Sequence, residues 1–190
     1  MKKNYHIILS SNSPRRKELL AGLDLKFDIR IIPGIDESYP ESLPVVEIAE
    51  YISAKKAEAY KSTICADDLV ITADTVVILD RDVLGKPKSL DEARHILHEL
   101  SGKTHHVVTG VCLTSIDKQK RFSVITDVTF KDLSDSEIDY YVENYRPLDK
   151  AGAYGIQEWI GYVGVTSIHG SYFNVMGLPV QRIYKELQDF

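Results

Sequence analysis

A chain of 190 residues, 44% hydrophobic and 27% charged, has the composition of a soluble globular protein and the length of one domain with a substantial core. Its formal net charge of −5 argues against long stretches of nucleic-acid backbone as a partner, though a small polyphosphate needs only a few local cations. Cys65 and Cys112 stand isolated, without the spacing of a disulfide framework or zinc site, and no apolar run approaches the about 18 residues of a membrane span.

The first residues lead straight into a strand at Ile7-Ile8-Leu9 with no signal-peptide core, so a cytoplasmic location is expected. Ser11-Asn12-Ser13-Pro14-Arg15-Arg16 then opens a helix. Ser13 suits the N-cap, Pro14 the first turn, Leu19, Leu20 and Leu23 an apolar stripe, and Gly22 the stop. A helix start favours anions, so two arginines and two hydroxyls there read as a phosphate cradle or, alternatively, as a capped surface helix with solvated arginines. Residues 27–32 read as a strand and 34–43 as a loop carrying Asp36, Glu37 and Glu41. Asp36-Glu37 suits a hard divalent cation or an ordinary acidic loop. A helix follows over 44–60, and its period puts Lys56 on the apolar face of Val45, Ile48, Ile52 and Ala59. Such a lysine either snorkels to the surface or meets a phosphate or carboxylate.

The β-branched run 69–79 predicts a central strand, interrupted by Asp74. An unpaired carboxylate there would be costly, so Asp74 should meet a cation, a metal or a ligand, unless it faces solvent at a bend. Asp80-Arg81-Asp82 turns the chain back through Val83-Leu84, and Gly85-Lys86-Pro87 leads to a helix over 91–100. Lys86 is not a P-loop lysine, since no glycine stands five residues before Gly85 and proline follows it. His105 and His106 read as ligands or as residues that merely begin a strand, with alternation sending them to opposite faces. Residues 106–115 and 121–133 form a predicted hairpin, and Ser134 with Glu137 a capping box for a helix to about residue 144. The tail is glycine-rich before a last amphipathic helix marked by Val180, Ile183, Tyr184 and Leu187. Within it, residues 149–157 combine small residues, Lys150 and Gln157, as a close approach to a flat ligand needs, though glycine turns explain them too. Alternating strands and helices with one hairpin predict an α/β fold on a mixed sheet. There is no repeat, GxGxxG, HExxH or GxSxG.

Together these segments resemble the Maf family of nucleoside triphosphate pyrophosphatases. The resemblance runs in order through residues 9–16, Asp36-Glu37, Lys56-Ala57, residues 73–77, Gly85-Lys86-Pro87, residues 100–102 with His105, Thr109-Gly110-Val111, residues 149–157 and residues 170–179. Ser10 departs from the alanine common there. The resemblance implies a single Maf/ITPase-like α/β domain over 1–190, with a long mixed sheet flanked by helices and a deep cleft between two lobes. It implies hydrolysis of a nucleoside triphosphate to the monophosphate and pyrophosphate with a divalent metal, Mg²⁺ or Mn²⁺. Asp74 would be the proton acceptor, with Arg15, Thr75 and Gln157 governing substrate choice. Ser11, Arg16, Glu37, Lys56 and Lys86 would bind phosphate or metal, the metal falling to Glu37 and Asp74. The 149–157 segment with Gln157 is similar to that of the branch acting on dTTP and UTP, and a homodimer is the family expectation. The rival is a nucleotide-sensing or septum-formation regulator with little turnover, which could dispense with Asp74 and Glu37.

Overall fold

The computed structural model describes residues 5–190, so most of the segment read as lacking a signal-peptide core lies outside it. The strands are β1 (His6–Ser10), β2 (Phe27–Ile29), β3 (Asp68–Leu79), β4 (Asp82–Leu84), β5 (Thr104–Thr114), β6 (Gln119–Phe130) and β7 (Val165–His169). The helices are α1 (Pro14–Ala21), α2 (Ile48–Glu58), α3 (Leu90–Leu100), α4 (Asp135–Tyr145), α5 (Trp159–Gly164), α6 (Tyr172–Val175) and α7 (Val180–Asp189). The sheet order is β2-β1-β3-β5-β6-β7, with β4 paired to β3. It is mixed, as predicted: β1 runs parallel to β2 and β3, while β4 and β7 run antiparallel to β3 and β6. Two compact units are built on it, one from Met1–Asp74, Thr109–Val124 and Gly177–Phe190, the other from Thr75–Val108 and Ile125–Met176.

In the first unit, Leu69 to Ala73 of β3 are buried, as a strand covered on both faces requires. Tyr60 is fully buried against Ile8 and Val70, and its hydroxyl joins three segments. It accepts from Ser10 Oγ at 2.8 Å and from the Ile32 N–H at 3.2 Å, and donates to the Arg30 carbonyl at 2.7 Å. These bonds explain why β2 stops at Ile29 rather than continuing to residue 32: the following polar groups turn to the tyrosine instead of a ladder. Helix α2 is shorter than the predicted 44–60 because its first turn, Val45–Glu47, is a 3₁₀ turn after Pro44.

Two contacts seat α2 on the sheet. Thr72 Oγ1 donates to the Ser53 carbonyl at 2.7 Å. At Gly110 a Cβ would lie 2.2 Å from the backbone of Ala49 and Glu50, so helix and strand touch backbone to backbone there.

The second unit packs Leu97, Leu100, Phe130, Ile138, Tyr141, Val142, Ala153 and Ile160 in one core. Ser89 caps α3, and Ser134 with Glu137 forms the predicted capping box on α4. Elements α5, β7 and α6 arise within a stretch whose only signal was its glycines. β5 and β6 span 104–114 and 119–130 rather than 106–115 and 121–133. Their pairing extends past the predicted start of β5, with the Phe130 N–H donating to the Lys103 carbonyl at 3.0 Å. His105 is buried, with Nε2 2.7 Å from the Tyr154 hydroxyl, and burial aided by His106 lowers its pKa to about 4. His106 faces outward to Asp127 at 2.7 Å. The alternation of faces therefore holds. Cys65 and Cys112 are free thiols. Among the described residues no helix is long and apolar enough to cross a membrane.

Replacing Gly110 by alanine must push α2 off β5, and a loss of about 1–3 kcal/mol in urea unfolding is expected; an unchanged midpoint would show that the helix has room. His105 supplies a pH signature. Its folded pKa lies below that of the unfolded imidazole, so the unfolded chain takes up the proton first and stability falls as pH drops from about 6.5 towards 4. The full effect is on the order of 3 kcal/mol. His105→Gln should flatten that part of the stability profile, measured by urea unfolding across the window.

Candidate active site

The start of α1 is built by its own sequence. Ser13, in extended backbone, accepts the Arg16 N–H on its side chain at 3.3 Å, and Pro14 follows where no N–H is needed. Ser11 is buried, its Oγ accepting the Ser13 N–H at 3.1 Å, which leaves its O–H able to donate. The helix start thus brings the Ser11 hydroxyl and the positive charges of Arg15 and Arg16 to the first turn of α1, where the helix dipole also favours an anion.

Arg16 does more than offer charge. Its Nε donates to the Gly177 carbonyl and its Nη1 to the Ala73 carbonyl, both at 2.8 Å. Burial lowers its pKa, while Asp74 and Glu37 oppose that effect and Arg15 adds to it. Part of its donor capacity therefore holds the backbone next to Asp74.

Asp74 is not a solvent-facing bend residue. Its Oδ1 accepts from Lys56 Nζ at 2.7 Å, and both side chains are only 14% exposed. The same ammonium lies 2.9 Å from Glu37 Oε1, whose side chain is 54% exposed. One lysine on α2 thus joins a carboxylate on β3 to one on the loop after β2. Residues 49, 52, 53 and 56 share a helix face, so the contact that fixes Ser53 on Thr72 also carries Lys56 to Asp74, two residues further along the same face of β3.

The neighbouring pair behaves differently. Lys55 Nζ meets Asp36 Oδ2 at 2.7 Å and the Ser38 carbonyl at 3.0 Å, on the exposed side of the loop. Lys55, then the Ser38 hydroxyl and N–H, hold the Asp36 carboxyl far below the usual carboxylate range. Two adjacent lysines and two adjacent carboxylates so divide into an outer pair that fastens the loop and an inner pair that belongs to the site.

The first unit thus gathers Ser11, Arg15, Arg16, Glu37, Lys56 and Asp74. Thr75, Lys86 and Gln157 belong to the second unit. Thr75 follows Asp74 on β3 and is half-buried, Lys86 is exposed between β4 and α3, and Gln157 is half-buried before α5. The Gly152 N–H donates to the Gly85 carbonyl at 3.1 Å, which ties the Lys86 segment to the one bearing Gln157. Lys150, in the segment read as a close approach to a flat ligand, is buried and paired with Asp149 at 2.7 Å and Glu158 at 3.1 Å. Tyr60, Thr72 and Gly110 support the site without any sequence signal for that role. Tyr60 reads as one more helix residue, Thr72 as one more strand residue, and Gly110 enters only as part of the Thr109-Gly110-Val111 segment of the resemblance.

Among the described residues no group of three or more His, Cys, Asp or Glu side chains suits a metal ion. Glu37 and Asp74 nevertheless bring two hard carboxylates to one ammonium, a donor set that Mg²⁺ can use when phosphate and water complete its shell. With three cations against two carboxylates, the cluster has the charge to receive a polyanion.

The family model for Maf-like proteins matches residues 6–190. A dTTP/UTP pyrophosphatase of Phocaeicola vulgatus is 60% identical over 186 residues, covering 98% of this chain and 96% of its own. Proteins of the same name from Bacteroides thetaiotaomicron and Parabacteroides distasonis are 57% and 56% identical, covering 97% and 99% of this chain and 95% and 97% of theirs. Among solved structures, a HAM1 protein from Coxiella burnetii aligns with 98% of this chain and 100% of its own at 15% identity and a TM-score of 0.48, too low to bear on the assignment. By the full-length match and these relatives, the chain belongs to the Maf family.

Proposed function

We propose that this protein is a nucleoside triphosphate pyrophosphatase that hydrolyses dTTP and UTP to the monophosphate and pyrophosphate. The observation that carries the reading is the inward Lys56–Asp74 pair beside the two arginines of the α1 start. The name shared by full-length relatives at 56–60% identity supports the choice of substrate.

In this mechanism water attacks the α-phosphorus and passes a proton to Asp74. The bond from that phosphorus to the bridging oxygen breaks, and pyrophosphate leaves with the electron pair. Lys56 fixes Oδ1, so Oδ2 is the oxygen positioned to take the proton. Such reactions depend mainly on positioning and charge neutralisation. Ser11, Arg15, Arg16 and Lys86 are assigned to phosphate oxygens, and Thr75, Gln157 and Arg15 to choosing the nucleotide. The Gln157 amide offers a donor and an acceptor to a pyrimidine edge. A divalent cation, Mg²⁺ or Mn²⁺, belongs to the same proposal, held by Glu37 and Asp74. Bound there it would neutralise charge building on the phosphate oxygens.

Pyrophosphate release from a panel of nucleoside triphosphates, with and without Mg²⁺, should be fastest for dTTP and UTP with the metal present. Nucleotide binding without release from any member would favour the sensor instead. Asp74→Asn with saturating Mg²⁺ should lower kcat by about 100-fold or more, the usual scale for loss of a general base. Turnover near that of the wild type would remove Asp74 from its role.

A further inference from the structure

The turn that presents Gln157 is held by polar groups buried within the second unit. Lys150 has a side chain only 10% exposed and reaches Glu158 Oε1 at 3.1 Å. The other carboxylate oxygen of Glu158 accepts a hydrogen bond from the Tyr141 hydroxyl. That phenol oxygen in turn accepts the Gly155 N–H at 3.0 Å. One tyrosine oxygen therefore holds the chain on both sides of Gln157, through Gly155 two residues before it and Glu158 one residue after. The Glu158 N–H donates back to the Gly155 carbonyl at 2.9 Å and closes the turn. A Cβ on residue 155 would lie 2.8 Å from Glu158 Cδ and 3.1 Å from Lys150 Cε, so glycine lets the pair close over it.

The anchor itself is rigid. Tyr141 is fully buried on α4 and stacks on Tyr145 with ring centroids 5.0 Å apart. Burial, with Glu158 adding, raises its pKa and keeps the phenol a donor. A shielded ion pair contributes little stability beyond what apolar side chains of the same volume would give, so its use here is geometric.

We propose that Tyr141, Lys150 and Glu158 are positioning residues that set the Gln157 amide for nucleobase discrimination. This rests on the reading of Gln157 as a base-contacting residue. The network leaves few ways for the turn to shift, and displacement of a contact by about 1 Å is enough to cost rate and selectivity.

The test is steady-state kinetics of the full chain with dTTP, UTP and dGTP for Tyr141→Phe, Lys150→Met, Lys150→Arg, Gln157→Ala and the double variant Tyr141→Phe/Gln157→Ala, each checked by thermal melting. Tyr141→Phe and Lys150→Met should lower pyrimidine kcat/KM about tenfold, chiefly through KM, and narrow the pyrimidine-to-dGTP ratio to match. Lys150→Arg should recover part of that ratio. In the Gln157→Ala background, Tyr141→Phe should change the ratio no further, since both act through one amide. If Gln157→Ala narrows the ratio while Tyr141→Phe and Lys150→Met leave it intact, the positioning role is overturned and base contact by Gln157 stands. If Gln157→Ala leaves the ratio unchanged, both are overturned. Should Lys150→Met fail to fold, Tyr141→Phe decides, because it removes a single oxygen and keeps the buried ring.

Discussion

The Lys56–Asp74 ion pair is the interaction around which the first unit is organised. A long, flexible ammonium and a short carboxylate, both largely withdrawn from water, meet at 2.7 Å. Withdrawing either charge alone would be costly, so helix and strand must hold their mutual register closely. Two ordinary contacts enforce it. The Thr72 hydroxyl fixes the phase of α2 against β3, and the backbone approach at Gly110 fixes its height above the sheet. Neither residue carries chemistry, yet both determine where the chemistry sits.

The same economy governs the surrounding charges. Cations that look equivalent in the chain divide into those turned to the site and those spent on structure. Lys55 fastens the loop through Asp36, while Lys56, the next residue, turns inward. Arg16 anchors the backbone at Ala73 and Gly177, and Lys150 closes an internal network. A phosphate-processing site needs positive charge that does not move when the substrate's negative charge redistributes. Fastening part of that charge to carbonyls and carboxylates supplies the rigidity.

Much of this is legible in the amino-acid order alone. Ser13 and Ser134 cap the predicted helices, Asp74 is the one acid in a run otherwise suited to burial, and the helical period sends Lys56 inward. The Maf resemblance then joined residues scattered over nearly the whole chain. Less was readable where glycine dominated the tail: α5, β7 and α6 depend on where β6 offers an edge, and short elements carry too few residues for a periodic signal. Tyr60, read as one more helix residue, turned out to end β2 early by capturing its polar groups.

The division follows the range of the forces involved. Caps, turns, the inward phase of a helix and the oddity of a buried acid arise among residues within a few positions of one another, so the amino-acid order expresses them directly. Partners do not arise that way. Arg16 finds the carbonyl of Gly177, 161 residues away, and Lys56 finds both Asp74 and Glu37, while the adjacent Lys55 finds neither. Which of several like charges meets which is settled only when burial raises the cost of leaving one unpaired, and burial exists only after distant segments have packed.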